Sequence, residues 1–89
     1  MEIEYLNGER TGKGKEYNYD GNLIYEGEYF KGVRSGKGKE YDKNGNIIFE
    51  GKLLYGLKWI GKEKRYDEFG NLIFETEYLE WKYLSNKFY

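Results

Sequence analysis

Cysteine, histidine and proline are all absent from this chain of 89 residues. Without cysteine there is neither a disulfide framework nor a thiolate metal site. Without histidine the commonest general base and the commonest zinc ligand are gone. Serine occurs only at Ser35 and Ser85, and no histidine is present to activate either one as a nucleophile. A surplus of positive charge is also missing: the formal net charge is −1, whereas a dedicated nucleic-acid binder carries a basic excess. No apolar run approaches the roughly 20 residues of a membrane-crossing helix. The start, Met1-Glu2-Ile3-Glu4, is acidic, unlike a signal peptide. These absences argue against an enzyme, a cofactor, a metal and a nucleic-acid partner, and they lead to the expectation of a cytoplasmic protein.

A chain of this length has room for one small domain with a modest core. Aliphatic residues are scarce, and Val33 is the lone valine. Eleven tyrosines and two tryptophans make up the deficit, so the core is expected to be built largely from tyrosine. The low net charge argues against disorder.

What the sequence has in abundance is a repeat, read before anything else. Tyr5, Gly8, Gly12, Gly14, Tyr17 and Gly21 recur 24 residues later as Tyr29, Gly32, Gly36, Gly38, Tyr41 and Gly45. Leu53 and Gly56 follow at the same period, and one extra residue near Trp59 then lengthens the spacing to 25, giving Gly61, Tyr66 and Gly70. The units are about 1–21, 22–45, 46–70 and a degenerate 71–89. Met1–Tyr5 matches Tyr25–Tyr29, with Ile3 in place of Gly27. In the tail, Thr76, Trp81 and Asn86 stand where Gly51, Gly56 and Gly61 stand in the middle. Loss of glycine at both ends suits capping units, or plain drift.

Frequent glycine disfavours long helices, and the segments between glycines have the aromatic and branched composition of strands. Asp20-Gly21, Asn44-Gly45 and, more weakly, Phe69-Gly70 read as two-residue hairpin turns. The expected strands are about 22–31, 36–42, 46–55, 61–67 and 71–79. The fold class is all-β, an antiparallel meander of seven or eight strands. Alternation puts Leu23, Tyr25, Gly27 and Tyr29 on one face, with Ile47, Phe49, Gly51, Leu53 and Leu72, Phe74, Thr76, Tyr78 repeating it. The other face carries Glu26, Glu28, Glu50, Lys52, Glu75 and Glu77. Ile24, Phe30, Ile48, Leu54, Ile73 and Leu79 lie at its margins, so this face is not cleanly polar. The tail Tyr78–Tyr89 reads either as a degenerate strand pair or as a short amphipathic helix, because Trp81, Leu84 and Phe88 stand at helical spacing.

Tyr25-Glu26-Gly27-Glu28-Tyr29, Gly32, Gly36-Lys37-Gly38 and Tyr41 resemble the unit of the MORN-repeat family. Tyr5, Gly8, Gly12-Lys13-Gly14 and Tyr17 fit as the tail of an earlier unit. Phe49-Glu50-Gly51 with Gly56 and Gly61 fits with losses, among them Glu63 at the second glycine. The resemblance covers nearly the whole chain, although the units run one or two residues longer than the family's usual period. It implies an elongated ladder of hairpins and a role in scaffolding, self-association or docking, often near membranes or the cytoskeleton.

The aromatic face, Tyr25, Tyr29, Phe49, Phe74 and Tyr78, is the expected contact surface for a protein or peptide partner, against the plainer reading of these rings as core. Lys13, Lys15, Lys37, Lys39, Lys62 and Lys64 recur on second strands. They point either to anionic phospholipid headgroups or to cross-strand pairing with the glutamates. Sheet edges offer self-association. A purely structural module, natural or designed, is the third reading. Gly12-Lys13-Gly14 and Gly36-Lys37-Gly38 lack the helix and the Gly-Lys-Ser/Thr ending of a phosphate loop. Asp20, Asp42 and Asp67 are expected to bond the turn backbone.

Overall fold

The computed structural model describes residues 2–5, 11–79 and 82–88. They form one antiparallel sheet of eight strands in strict chain order. The strands are β1 (Glu2–Tyr5), β2 (Gly12–Tyr17), β3 (Leu23–Phe30), β4 (Val33–Tyr41), β5 (Ile47–Leu54), β6 (Leu57–Tyr66), β7 (Leu72–Leu79) and β8 (Lys82–Phe88). The sheet is a single layer measuring 41 × 31 × 14 Å. Where most domains bury a sheet face under a second layer, this one folds its own rings down onto the backbone. The buried cluster is Tyr25, Tyr29, Phe49 and Leu53, with Tyr78 packed against it.

The tail is a strand. β8 pairs with β7 so that Thr76 faces Asn86, as Gly51 faces Gly61 one unit earlier. The helical alternative for Tyr78–Tyr89 is therefore corrected; Trp81, on which it partly rested, lies outside the described residues, as do Met1, Leu6 and Gly8. β1 departs from the repeat register. Gly14 faces Tyr5 and Glu16 faces Ile3, so Ile3 does not take the place of Gly27, which faces Gly38 in the equivalent hairpin. The offset is two residues.

The turns alternate in kind. β3–β4 and β5–β6 close through Lys31-Gly32 and Tyr55-Gly56, with φ of 51° and 83°, and 50° and 83°. Positive φ at both central positions is the type I′ turn that matches strand twist. These turns start β4 at Val33 and β6 at Leu57, earlier than the glycine spacing suggests. The Asp20-Gly21, Asn44-Gly45 and Phe69-Gly70 pairs instead end longer turns. Each of those turns opens on a side-chain acceptor, Asn18, Asp42 or Asp67. Asp42 Oδ1 accepts the backbone N–H of Asn44 and Asn46 at 2.9 Å, and Asp67 Oδ1 accepts those of Phe69 and Asn71 at 2.9 and 2.8 Å. Asn18 does the same for Asp20 and Asn22 at 3.0 Å, so the acceptor of the first turn is Asn18, not Asp20.

Burial pushes the Asp42 carboxyl upward, but hydrogen bonds from Asn46 and Asn44 outweigh it and leave its pKa below the ordinary value. A depressed pKa stabilises the fold above the unfolded-state value and is lost as pH falls through the folded one. Asp42→Ala is therefore expected to cost about 1 kcal/mol at neutral pH, with the difference from wild type shrinking as pH drops below the carboxylate range. Urea midpoints across an acid pH series check this.

Candidate functional site

A glycine row organises both faces. Gly14, Gly27, Gly38, Gly51 and Gly61 face one another in succession from β2 to β6. On one face, bare backbone lets the fully buried Tyr25 ring lie flat on the sheet. A Cβ on Gly27 would stand 2.6 Å from the Tyr25 hydroxyl, and one on Gly38 would stand 2.7 Å from ring atom Cζ. The hydroxyl donates to the Glu28 carbonyl at 3.0 Å. Tyr29 meets the Tyr25 ring edge-on at 5.4 Å, and Tyr78 meets Phe49 similarly at 6.4 Å. Such pairs add about 0.5–1.5 kcal/mol each beyond burial.

A ribbon of charge runs beside the rings. The Tyr29 hydroxyl donates to Glu16 at 2.8 Å, and Arg34 Nε donates to the same carboxylate. Arg34 also bonds Glu40 at 2.8 Å, while its guanidinium stacks over the Tyr25 ring at 4.4 Å. Lys58 continues the chain, 3.8 Å from Glu40 and 3.0 Å from Glu63. Tyr78 donates to Glu63 at 2.7 Å and Arg65 does so at 3.0 Å. Glu16 and Glu63 are buried, and among the described residues no buried side-chain polar atom lacks a partner.

The electrostatics follow this geometry. Burial raises Glu63, but the Tyr78 hydroxyl and Lys58 outweigh it, so its pKa is lowered. Burial likewise opposes the Arg34 charge, and the Glu16 and Glu40 carboxylates more than restore it. Burial pushes the Tyr25 hydroxyl from 10.0 up to about 12. Tyr29 is raised as well, first by burial and then by its bond to Glu16. A neutral group with a raised pKa stabilises the fold fully below its unfolded value, and that contribution is lost as pH climbs to the folded one. Stability is thus expected to fall steadily from pH 10 toward 12. Tyrosinate absorbance should rise in two stages, exposed rings first and the buried pair with unfolding. A single simple titration without unfolding would contradict it.

Of the five expected contact rings, Tyr25, Tyr29 and Phe49 are buried, and Phe74 and Tyr78 are half-buried. The physical reason is the scarcity of other apolar residues: the rings are spent on packing. The carboxylates of this face, with Arg34 and Lys58, escaped the sequence reading. The alternation applied to first strands, carried across Gly14, Gly38 and Gly61 to the second strands, places Glu16, Glu40 and Glu63 on it. Against β5, Glu63 stands as Glu40 does, each facing Phe49 from one side; against β7 it faces Thr76, as Gly38 faces Gly51, the place of the second glycine.

On the opposite face the glycine row is the floor of an open groove of about 810 Å³. One wall is formed by Lys15, Glu26, Lys39 and Glu50, part of a cross-strand row that Lys62 and Glu77 continue past the groove. Within it Lys15 pairs with Glu26 at 3.5 Å, Lys39 with Glu50 at 3.6 Å and Lys62 with Glu77 at 4.0 Å. These are exposed pairs of small worth. Lys64 faces Glu75. The other wall runs Lys13, Glu28, Lys37, Lys52 and Ile60, and there Lys37 faces Lys52 directly. Beyond this wall the tight-turn margin exposes Phe30, Val33, Leu57 and Leu79. Among the described residues no cluster could hold a metal ion, and no helix is long and apolar enough to cross a membrane.

The repeat also matches known family models. The MORN repeat matches residues 25–47, and the MORN repeat variant matches residues 10–31 and 60–80. No curated protein and no solved structure matches the chain.

Proposed function

Since the chain belongs to the MORN-repeat family, whose repeats are generally protein- or membrane-interaction modules, we propose that it is a non-catalytic protein-docking module that receives its partner on the groove-bearing face. The observation that carries this reading is the groove itself, floored by glycine backbone, with Phe30, Val33, Leu57 and Leu79 exposed near the strand ends of the same sheet. Grouped apolar side chains left at a surface mark interaction sites. Tyr25, Tyr29 and Phe49 serve this surface from behind: they hold the sheet flat against its own rings and leave the far side open. The alternating Lys–Glu wall disfavours a membrane, because its carboxylates cancel the field that anionic lipid requires.

The test is affinity capture with the wild-type chain beside a Phe30→Ser/Leu57→Ser variant. Both substituted side chains are exposed, so the variant is expected to retain the wild-type circular dichroism spectrum. A protein held by wild type and lost by the folded variant is the expected result. Equal capture by both would move docking off this face. Wild type that ignores lysate protein but sediments with phosphatidylserine vesicles would replace the protein reading with a lipid one.

A further inference from the structure

The two walls of the groove differ in a way that selects the occupant. In the first wall lysine and glutamate alternate and pair. In the second, Lys37 and Lys52 stand directly opposite each other, an arrangement that destabilises a sheet when nothing answers it. Lys13 faces Glu28, but the Glu28 carboxylate is turned to the β4 backbone, accepting the Lys37 N–H at 2.7 Å. Lys13, Lys37 and Lys52 are all exposed and all line the groove. Among the described residues none of the three has a carboxylate within ion-pair distance. The same wall ends, without charge, at Ile60, and the exposed Leu79 faces it from β7, just past the groove.

Resting on the docking reading of this face, we infer that the occupant is an acidic, extended protein segment laid across the strands. Its carboxylates meet Lys13, Lys37 and Lys52, and its apolar residues follow over Ile60 and Leu79. The spacing agrees. Neighbouring strands lie about 4.8 Å apart, so the three steps from β2 to β5 cover about 14 Å. In an extended chain, side chains on one side recur about every 6.7 Å, so three alternate carboxylates cover about 13 Å. The order of the wall, basic and then apolar, places the acidic end of the segment over β2 to β5 and its apolar end toward β6 and β7. A flat anionic membrane is a poorer fit: it would meet the Glu26, Glu50 and Glu77 side of the groove together with the basic wall, whereas a single extended chain can lie over the basic wall alone.

Fluorescence anisotropy tests this with labelled peptides of alternating glutamate and serine that finish in alternating leucine and serine, made in both chain directions. A second set carries glutamine in place of glutamate. Wild type is expected to bind one acidic peptide at least tenfold more tightly than its glutamine counterpart, and less tightly as salt rises. Lys37→Gln/Lys52→Gln should weaken the acidic peptide about tenfold and leave the glutamine peptide unchanged, while Lys31→Gln changes neither. The double variant relieves a like-charge pair, so its thermal midpoint should equal or exceed wild type. Equal affinity for acidic and glutamine peptides would overturn the acidic occupant and leave the docking reading standing. Failure of every peptide to bind would overturn the inference too; the docking reading falls separately, if the Phe30→Ser/Leu57→Ser bait keeps its partner. Vesicles of phosphatidylserine that outcompete the acidic peptide would overturn it in favour of lipid.

Discussion

Gly51→Ala is expected to destabilise the sheet by about 3 kcal/mol, the upper range for forcing an extra carbon into a packed site. In most strands the same change helps, because glycine gives up more chain entropy than alanine on folding, by about 0.5–1 kcal/mol. Here the sign reverses. The added Cβ would run into the Ile60 carbonyl oxygen and stand 2.6 Å from the Gly61 Cα. Both obstacles are backbone atoms of β6, so neither can rotate away; β5 and β6 would have to separate, breaking the Gly51–Gly61 register and the groove floor with it. Gly38→Ala offends a side chain instead, the Tyr25 ring, and should cost somewhat less. Beyond Gly61 the requirement ends: Tyr78 faces it on β7, and the fully buried Thr76 stands one row over, between Glu63 and Asn86. Urea titration followed by circular dichroism measures the loss. A Gly51→Ala midpoint equal to or above wild type would contradict the close approach.

Arg34→Met should cost about 3 kcal/mol at neutral pH, and the loss should shrink as pH falls. The guanidinium joins Glu16 to Glu40 and lies over the Tyr25 ring. Methionine refills much of the space but leaves the buried Glu16 carboxylate with only the Tyr29 hydroxyl. An unpaired buried carboxylate costs the fold most while it is charged, and protonation in acid relieves that cost. The variant should therefore gain on wild type in acid, as Asp42→Ala does. Glu16→Gln in the same chain removes the stranded charge and should recover most of the loss, a coupling that a double-mutant cycle reads directly. An Arg34→Met defect that is independent of pH and unaffected by Glu16→Gln would show that the arginine acts through packing alone.

Much of the fold was legible because the repeat is written in residues with strict backbone consequences. Tyr25-Glu26-Gly27-Glu28-Tyr29 and its echoes marked the strands, and alternation along them separated the ring face from the charged one. The turn assignments were less legible. Asp-Gly and Asn-Gly carry a strong turn signal, yet the type I′ turns are at Lys31-Gly32 and Tyr55-Gly56, where the first residue gives no warning. Without that, the early residues of β4 and β6, and so Arg34 and Lys58, had no face. The extra length of the third unit is taken up in β6. Glu63 faces Phe49 on one side, whereas Arg65 faces Phe74 on the other; spacing alone cannot reveal such a change of register within one strand. The face proposed for docking was half visible. The sequence showed a charged face with apolar margins, but the attraction of tyrosines to interfaces drew attention to rings that the sheet needs for itself.

The most direct test of the docking face is site-specific photocrosslinking. A benzophenone amino acid is placed at Lys52, on the groove wall, and in a second chain at Tyr78, on the ring face. Each is irradiated with the captured partner. Crosslinking from position 52 and not from position 78 is the predicted result. Crosslinking from position 78 alone would contradict it and return the partner to the aromatic face.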